Sequence, residues 1–464
     1  MSKILDINIF NNDNNTYEFK DVLERVQIHI STQHSKLLNV EQNKNYLNNT
    51  EKDIYNSNKK QLKAYIEKYI QDNNIKVLGL DKVNLVEKLY KYMAEFAFIS
   101  DYLPTENDKD WNIEEININA WDDIKISYSN GEILPSEEKF LSPKHAEDIV
   151  NRMLRESNMI LDKSEPIVRG HLSKNIRITV LGTGVIDEEN GVVASIRIVN
   201  PKKLSKQDFV NGNTLSEQMI NTIEILFRYG VSMCITGATN SGKTTFMSWL
   251  LGTISNDKRL FTIENNVREF DLIKRDEHGK IINNVVHTVT RYSEDESKSI
   301  DQERLLETAL TSNPDYICVG EMKGSESFAA QEGARTGHTV ITTTHANSCD
   351  ATYSRMVTLC KLKYDINDKT LYNLVTEAFP LVVFIKRLED KTRKVMEIKE
   401  CIIHDNGERE LQTLFRYNIE SQFIQNGKTK IVGSFEKVNN ISIQMQKRLR
   451  ENGIPLSELD KLLN

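Results

Sequence analysis

The fold of this chain is decided by the stretch Gly237-Ala238-Thr239-Asn240-Ser241-Gly242-Lys243-Thr244-Thr245. It fits the pattern GxxxxGK[ST] of a phosphate-binding loop, or P-loop. Glycines let backbone N–H groups turn toward phosphates, and the N-terminus of the following helix adds partial positive charge. In this pattern Lys243 reaches the β- and γ-phosphates, and the Thr244 hydroxyl is a ligand of Mg²⁺. The stretch therefore predicts binding of a nucleotide together with Mg²⁺.

The segments around the P-loop alternate between strand-like and helix-like patterns. Short apolar runs lie at 231–236, 260–264, 316–320, 340–345 and 381–385, and helical patterns lie at 244–251 and 301–310. Strand–helix alternation of this kind predicts an α/β fold around a largely parallel sheet. A strand entering the P-loop and a helix leaving it are the context that the motif requires.

Three of the later apolar runs end in side chains that suit phosphate hydrolysis. Glu321 follows the run 316–320, where a Walker B carboxylate would lie beside Mg²⁺ and the attacking water. Glu264 ends the run 260–264 and is a candidate to polarise that water. His345, after a threonine-rich strand, is a candidate donor to a γ-phosphate oxygen. Glu264 and His345 also have structural alternatives, because a strand-end Glu can be a surface residue in an N-cap and a lone His is commonly a hydrogen-bonded structural residue.

The order of these motifs resembles one protein family. The P-loop, then TIEN at 262–265, ICVGE at 317–321 and TGH…TTTHAN at 336–347 resemble the secretion and pilus-assembly ATPases of the type II/type IV superfamily. The fit is closest to the branch that powers Tad-type pili. The resemblance spans about residues 110–400. It implies an α/β, RecA-like P-loop ATPase domain preceded by a smaller α+β domain and a helical N-terminal extension, with ATP and Mg²⁺ bound in a homohexamer.

The resemblance also implies roles for single residues. The catalytic side chains would be Glu264, Glu321, His345 and Glu269. Glu264 would be the acid of the Asp box with Glu269 as its second acid, and Thr244 and Glu321 would hold Mg²⁺. Arg177 and Arg197 are similar to family arginines that reach the γ-phosphate or a neighbouring nucleotide, where they offset charge on the transferred phosphoryl group. A surface salt bridge is the alternative for both arginines.

The chain departs from the family pattern at several positions. Asn265 stands where the Asp box usually has a second acid, and Lys323 stands where the family often has Arg. In the segment 305–314, where the family pattern offers several arginines, the chain has Glu307, Thr311 and Asn313. A tetracysteine zinc module, frequent in the type II branch, has no counterpart in the sequence. These departures leave nucleotide binding unaffected and bear on turnover and the arginine network.

Pattern changes along the chain predict three domains. Residues 1–104 form a helical N-terminal extension, 105–212 an α+β domain, and 213–464 the ATPase domain with a C-terminal tail. In the middle segment we expect a turn at Asn130-Gly131 and a helix that starts at Ser142-Pro143. In the tail we expect a turn at Asn426-Gly427 and a helix over 443–463.

Composition excludes several classes of protein. Charged residues make up 27% of the chain and the hydrophobic set 39%, so wholesale disorder is excluded. The five cysteines are scattered without a CxxC pair, which disfavours a zinc ribbon or a disulfide framework. The longest apolar run, 378–385, is far shorter than the roughly 20 residues that span a bilayer. We therefore expect a cytoplasmic protein, at most peripheral to the inner face of the cell membrane.

Three functions remain open from the sequence. The leading one is a hexameric ATP-hydrolysing motor that powers pilus assembly or protein secretion through an inner-membrane platform protein. The second is a conjugation or DNA-transfer ATPase of the type IV secretion class, although a net charge of −7 disfavours direct nucleic-acid binding. The third is a nucleotide-gated scaffold with little turnover, which Asn265 and the missing arginines motivate. The N-terminal extension is the candidate docking surface, with ring assembly as its alternative.

Overall fold

The computed structural model of the chain divides into two compact units, Met1–Pro201 and Lys202–Asn464. The structure describes residues 16–34, 49–105, 111–155, 159–173, 175–198, 204–266, 268–292 and 295–463. Residues 1–15 and 35–48 of the predicted N-terminal extension lie outside this set. In the first unit, the described helices before residue 104 and the sheet that follows share one hydrophobic core cluster. The division into three domains stays a prediction.

The first unit contains helices and a mainly antiparallel arrangement of strands. Its helices are α1 (Phe19–His34), α2 (Asn49–Asp72), α3 (Lys82–Ala94) and α4 (Pro143–Arg155), with 3-10 turns at Ala97–Tyr102 and Glu188–Asn190. Its strands are β1 (Thr16–Tyr17), β2 (Lys76–Val77), β3 (Ile113–Ala120), β4 (Asp123–Tyr128), β5 (Ile133–Pro135), β6 (Ile167–Ser173), β7 (Ile176–Leu181) and β8 (Val193–Ile198).

Local sequence signals explain where these helices start. The Asp81 side chain accepts a hydrogen bond from the Asn84 N–H at 2.8 Å and so caps α3. The helix predicted at Ser142-Pro143 is α4, in which Pro143 takes the first helical position and the Ser142 hydroxyl accepts from the His145 N–H at 3.1 Å. Both caps satisfy backbone donors that a helix N-terminus leaves unpaired.

Strands β3–β8 form the small sheet, in the order β5-β4-β3-β8-β7-β6. The predicted turn at Asn130-Gly131 is confirmed and joins β4 to β5, with Gly131 at a φ of 87°. An additional turn joins β3 to β4, where Ala120 pairs with Asp123. The two residues between them, Trp121 and Asp122, carry no Gly or Asn signal, which is why the alternation pattern alone does not reveal this turn.

The second unit alternates strands and helices before a long antiparallel end. Its helices are α5 (Lys206–Asn211), α6 (Glu217–Arg228), α7 (Lys243–Gly252), α8 (Gln302–Leu310), α9 (Glu326–Arg335), α10 (Cys349–Cys360), α11 (Asp368–Ala378), α12 (Ile443–Glu451) and α13 (Leu456–Leu463). Its strands are β9 (Met233–Thr236), β10 (Arg259–Glu264), β11 (Asn284–Val289), β12 (Tyr316–Val319), β13 (Thr339–Thr344), β14 (Leu381–Arg387), β15 (Arg393–Ile403), β16 (Arg409–Gln425) and β17 (Lys428–Lys437). A 3-10 turn lies at Glu296–Lys298.

Strands β9–β17 form the large sheet, in the order β11-β10-β12-β13-β9-β14-β15-β16-β17. Neighbours from β11 to β14 pair in parallel, and those from β14 to β17 pair antiparallel. The predicted apolar runs are therefore confirmed as strands of a largely parallel α/β core. This is the RecA-like P-loop fold: strand β9 enters the P-loop, and β13 separates β9 from the strand that leads to Glu321.

Both faces of the parallel strands β9, β10, β12 and β13 are buried, which explains their nearly continuous apolar runs. Along β9, Met233 and Ile235 belong to one hydrophobic cluster, which includes side chains of α6, α7, α12 and α13. Cys234 points to the opposite cluster, with side chains of α8, α10 and α11. Cys234 and Cys318 are fully buried, and burial raises the pKa of both thiols.

The C-terminal end follows the sequence prediction with one correction. The predicted turn at Asn426-Gly427 is confirmed and joins β16 to β17, with positive φ angles of 51° and 72°. The helix predicted over 443–463 is instead two helices, α12 and α13. It breaks because Gly453 adopts a φ of 83°, and Pro455 follows, which cannot continue a helix.

Candidate active site

Parallel strands bring the predicted motifs to one edge of the large sheet. The carboxyl ends of β9, β13, β12 and β10 lead directly to the P-loop, His345, Glu321 and Glu264. In register, Thr344 of β13 pairs with Thr236 of β9, and Val319 of β12 pairs with Thr342. Carboxyl ends of parallel strands are where α/β proteins bind their ligands. The arrangement therefore gathers residues that lie up to about a hundred positions apart in the sequence.

Backbone geometry explains why the P-loop needs its glycines. Gly237 has a φ of 150°, and a Cβ added there would lie 2.0 Å from the Ile385 carbonyl oxygen. Gly242 has a φ of 95° and is the N-cap of α7. Asn240 also takes a left-handed conformation, with a φ of 60°, which Asn tolerates better than most residues. Side chains at the two glycine positions would strain the loop or fill the space beside it.

The remaining loop residues divide into exposed and enclosed positions. Ala238 and Thr239 are exposed, and Thr244 and Thr245 are half-buried in the first turn of α7. The Ser241 hydroxyl is 1% exposed and has no hydrogen-bond partner among the residues that the structure describes. A buried hydroxyl without a partner is costly, so this donor fits a phosphate oxygen.

The Lys243 side chain is buried against the P-loop. Only 6% of the residue is exposed, and its Nζ donates to the carbonyl oxygens of Gly237 and Ala238, both at 2.9 Å. The same Nζ lies 3.4 Å from His345 Nδ1. His345 Nδ1 is in turn 3.1 Å from the Gly237 oxygen. The P-loop lysine and His345, the predicted donor to the γ-phosphate, are therefore in contact at the start of the loop.

Glu321 extends this cluster toward solvent. Its Oε1 lies 2.5 Å from His345 Nε2, and its Oε2 lies 2.8 Å from Lys323 Nζ. The Gln302 side chain donates to the Glu321 backbone oxygen at 3.2 Å. The carboxylate is thus held near Lys243 through His345. Lys323, a departure from the family pattern, is thus an ion-pair partner of this acid.

Threonines of β13 hold the segment that carries Glu321. The Thr343 hydroxyl donates to the Gly320 oxygen at 2.8 Å, and the Thr344 hydroxyl donates to the Met322 oxygen at 3.1 Å. The Met322 N–H donates back to the Thr343 oxygen at 2.8 Å. Since β13 is buried throughout, its hydroxyls need such partners. The threonine-rich sequence of this strand therefore positions the Glu321 segment.

Glu264 has a different environment. It is 1% exposed and accepts hydrogen bonds from the Thr262 hydroxyl at 2.9 Å, from the Phe270 N–H at 2.8 Å and from the Glu269 N–H. His287 Nδ1 lies 3.4 Å from its Oε1. The carboxylate therefore holds the following segment, including Glu269, against the end of β10. Its role in polarising water stays a prediction.

Asn265, the departure in the Asp box, also has a structural explanation. The Thr290 hydroxyl donates to its side-chain oxygen at 2.9 Å and accepts from the Asn266 N–H at 2.9 Å. Thr290 is 3% exposed, so these bonds lie in the interior. An amide at position 265 is therefore a partner of a buried hydroxyl.

Arg177 and Arg197 lie in the first unit, directly opposite each other on β7 and β8. Across the small sheet, His171 pairs with Arg177 and Glu115 pairs with Arg197. Their strand neighbours, such as Ile178, are buried, so the four polar residues share the outer face. The structure brings the two arginines together, and their contact with nucleotide stays a prediction.

Arg393 is a site residue that sequence reasoning missed. It begins β15, and its guanidinium Nη2 donates to the Asn240 side-chain oxygen at 2.9 Å. Its Nε lies 3.4 Å from the Asn240 backbone oxygen. No motif marks Arg393, since it lies about 150 residues after the loop and resembles any strand-start cation.

The residues present fit a nucleotide with Mg²⁺. Within the described ranges, no group of three or more His, Cys, Asp or Glu side chains is arranged to hold a metal by itself. Mg²⁺ typically takes one or two protein oxygens together with substrate phosphates and waters. Thr244 lies in the first turn of α7 and Glu321 follows β12, and their role as Mg²⁺ ligands stays a prediction.

Part of the chain matches the model of a known protein family. Residues 172–377 match the model of the family described as "Type II/IV secretion system protein". The chain is 25% identical over 274 residues to conjugal transfer protein TrbB of Rhizobium radiobacter, covering 58% of this chain and 77% of that protein. It is 29% identical over 182 residues to type IV secretion system protein PtlH of Bordetella pertussis, covering 38% and 52%. Another relative is covered over only 31% of its length.

The chain is also similar to a solved structure. The VirB11 ATPase from the Brucella suis type IV secretion system, in complex with sulphate, is 20% identical, with a TM-score of 0.31, covering 62% of this chain and 92% of that one. Among the described residues, no helix has the length and apolar character to cross a membrane. The Tad-type branch stays a prediction.

Proposed function

Since residues 172–377 match the model of the type II/IV secretion system protein family, we propose that this chain is an ATP-hydrolysing motor. The motor powers pilus assembly or protein secretion, works as a homohexamer and acts on a platform protein in the inner membrane from the cytoplasmic side. One observation carries the proposal: Lys243, His345 and Glu321 converge at the carboxyl edge of the large sheet, beside the N-terminus of α7. That is the geometry of a phosphoryl-transfer site.

The P-loop residues bind and orient the phosphates in this proposal. Backbone N–H groups of the loop and the first turn of α7 face the β- and γ-phosphates, and Lys243 adds a full positive charge. The Ser241 hydroxyl gains a phosphate oxygen as its partner. Thr244 and Glu321 hold Mg²⁺, which, when bound, neutralises charge on the β- and γ-phosphates.

Acid and histidine side chains handle the attacking water and the γ-phosphate. His345 donates a hydrogen bond to a γ-phosphate oxygen in this proposal. Because His345 also contacts Glu321, loss of the γ-phosphate would change the position of the Glu321 carboxylate. Glu264, with Glu269, organises the neighbouring segment and polarises the attacking water. Glu264 also accepts hydrogen bonds from the Phe270 and Glu269 N–H groups, which fix the orientation of its carboxylate.

Mechanical work requires that ATP prefer one arrangement of the two units over another. Arg177 and Arg197 of the first unit would supply that preference by reaching the nucleotide of their own or a neighbouring subunit. In a ring, such contacts couple hydrolysis at one site to movement at the next. The N-terminal helices are the surface proposed for docking on the membrane partner.

A role in DNA transfer is the second candidate. Similarity to conjugal transfer protein TrbB extends over 77% of that protein and favours it. The net charge of −7 argues against direct contact with nucleic acid, so the chain would drive a transfer apparatus rather than grip the DNA. A nucleotide-gated scaffold remains the alternative if turnover is absent.

Steady-state ATP hydrolysis by the purified protein tests the proposal. We compare wild type with Lys243→Ala and Glu264→Gln, using Glu410→Gln, an exposed carboxylate paired with His404, as the matched control. We expect a ring-sized particle by light scattering and a turnover that falls at least about a hundred-fold in both site variants. Tight ATP binding without turnover in wild type would instead favour the scaffold.

A further inference from the structure

One flank of the P-loop rests against the hairpin formed by β14 and β15. Strand β14 pairs in parallel with β9, so that Phe384 lies opposite Thr236, the last residue before the loop. At the start of the loop, a Cβ on Gly237 would meet the Ile385 oxygen. At its end, a Cβ on Gly242 would lie 3.1 Å from the Arg393 Cδ. The hairpin therefore contacts both ends of the loop.

Arg393 adds polar contacts between these two ends. Its Nη2 donates to the Asn240 side-chain oxygen at 2.9 Å, and its Nε lies 3.4 Å from the Asn240 backbone oxygen. A guanidinium presents donors in a rigid fork, so it reaches a side-chain and a main-chain acceptor of one residue together. Both acceptors belong to the one non-glycine residue of the loop with a left-handed backbone, at a φ of 60°.

The turn that precedes Arg393 is itself fixed. The Leu388 N–H donates to the Thr392 oxygen at 2.8 Å, and the Thr392 N–H donates to Asp390 Oδ1 at 3.1 Å. Asp390 Oδ2 accepts from the Ile431 N–H of β17 at 3.2 Å. The side chain of Arg393 therefore extends from a backbone position that is hydrogen-bonded on two sides.

We propose that Arg393 is a positioning residue that holds the P-loop in its phosphate-receiving conformation. Its guanidinium holds the backbone and side-chain oxygens of Asn240 toward the hairpin. These acceptor oxygens therefore point away from the phosphates, and the N–H groups of the loop point toward the phosphates. A loop held in its bound conformation loses less entropy on binding. This inference rests on the proposed ATPase function and extends it to a residue outside the recognised motifs.

Calorimetric titration of the full-length chain with ADP and Mg²⁺ tests the proposal. We compare wild type, Arg393→Met, Arg393→Lys and the control Arg416→Met, which removes an exposed arginine paired with Glu436 in the same antiparallel part of the sheet. We expect Arg393→Met to weaken ADP binding about ten-fold. Arg393→Lys should weaken ADP binding less than Arg393→Met does, because lysine keeps the positive charge and lacks the paired donors of the guanidinium. The control should match wild type.

Kinetics separate positioning from a role in the chemical step. Phosphates contact the loop in the ground state and the transition state alike, so Arg393→Met should raise KM for ATP about ten-fold with kcat changed by less than about two-fold. A general loss of folding would lower the active fraction, and hence kcat, while leaving KM unchanged. Arg393→Lys, the milder variant, serves if Arg393→Met does not fold.

A double-mutant cycle checks that the effect passes through Asn240. Glycine tolerates the left-handed backbone and removes the side chain that carries the acceptor oxygen, so Asn240→Gly is the partner variant. In that background we expect Arg393→Met to weaken ADP binding by no more than about three-fold. An equal effect in both backgrounds, or no effect of Arg393→Met, would overturn the proposal. A wild type that binds no ADP would overturn the ATPase function itself.

Discussion

Two segments at the same edge of the large sheet start from one sequence pattern and end in different environments. Each follows an apolar strand and carries one glutamate, Glu264 after β10 and Glu321 after β12. Glu264 is 1% exposed and is bound mainly by backbone N–H groups and the Thr262 hydroxyl. The Glu321 side chain is 25% exposed, and its partners are the ionisable side chains of His345 and Lys323.

The difference shows that the partners of a glutamate, rather than its residue type, decide whether it stabilises the fold or takes part in the reaction. A carboxylate held by buried backbone donors cannot leave them without exposing unpaired groups. A carboxylate held by exposed side chains can exchange them for a metal ion or water at little cost. We therefore expect loss of Glu264 to lower stability as well as turnover, and loss of Glu321 to lower turnover alone.

The largest expected effect is on stability. Glu264→Ala leaves the Phe270 and Glu269 N–H groups without their carboxylate acceptor, and the Thr262 hydroxyl loses one of its partners. We expect the free energy of unfolding to fall by about 3 kcal/mol, measured by urea denaturation with tryptophan fluorescence. Glu410→Ala, at an exposed ion pair, is the control. A loss below about 1 kcal/mol would remove the contrast between the two acids.

Substitution of Glu321 should reverse that outcome. We expect Glu321→Gln to change the free energy of unfolding by less than about 1 kcal/mol, because its partners are partly exposed. ATP turnover should fall about a hundred-fold, because the carboxylate that faces the metal is lost. Paired denaturation and steady-state hydrolysis measure both. Should turnover survive while stability drops, the roles assigned to the two acids would be exchanged.

The smallest effect concerns the cation on Glu321. Lys323→Met releases Glu321 Oε2, so we expect the Mg²⁺ concentration for half-maximal turnover to fall about three-fold, in line with the modest strength of an exposed ion pair. Stability should stay within about 0.5 kcal/mol of wild type. Lys361→Met, which breaks the exposed pair with Asp368, controls for loss of a surface charge. An unchanged Mg²⁺ requirement would show that Lys323 does not compete for this carboxylate.

Much of the parallel core follows from sequence alone. The runs ending near Thr236, Glu264, Val319, Thr344 and Ile385 are apolar because both faces of these strands are buried, and that burial is what the pattern reports. The break in the C-terminal helix also has a local signal, Asn452-Gly453 followed by Pro455, which the prediction of one helix over 443–463 overlooked.

Local motifs also predicted the P-loop and the acids, because a loop of fixed length between a strand and a helix dictates its own geometry. The sequence did not distinguish the environment of Glu264 from that of Glu321. The Phe270 N–H reaches Glu264 and the Lys323 side chain reaches Glu321 only because of how the chain turns after each strand. Asn265 looked like a missing acid, and its bond with Thr290 appears only when β11 ends beside it.

By itself, then, the sequence determined which strands form the core, where phosphates are expected to bind and which family the chain resembles. These depend on patterns within short segments, where periodicity and glycine placement act locally. The tertiary structure alone decided that Arg393 lies on the P-loop, that His345 bridges Lys243 and Glu321, and that Glu264 is enclosed. Such contacts join residues far apart in the chain, and only the packing of the whole sheet brings them within hydrogen-bond distance.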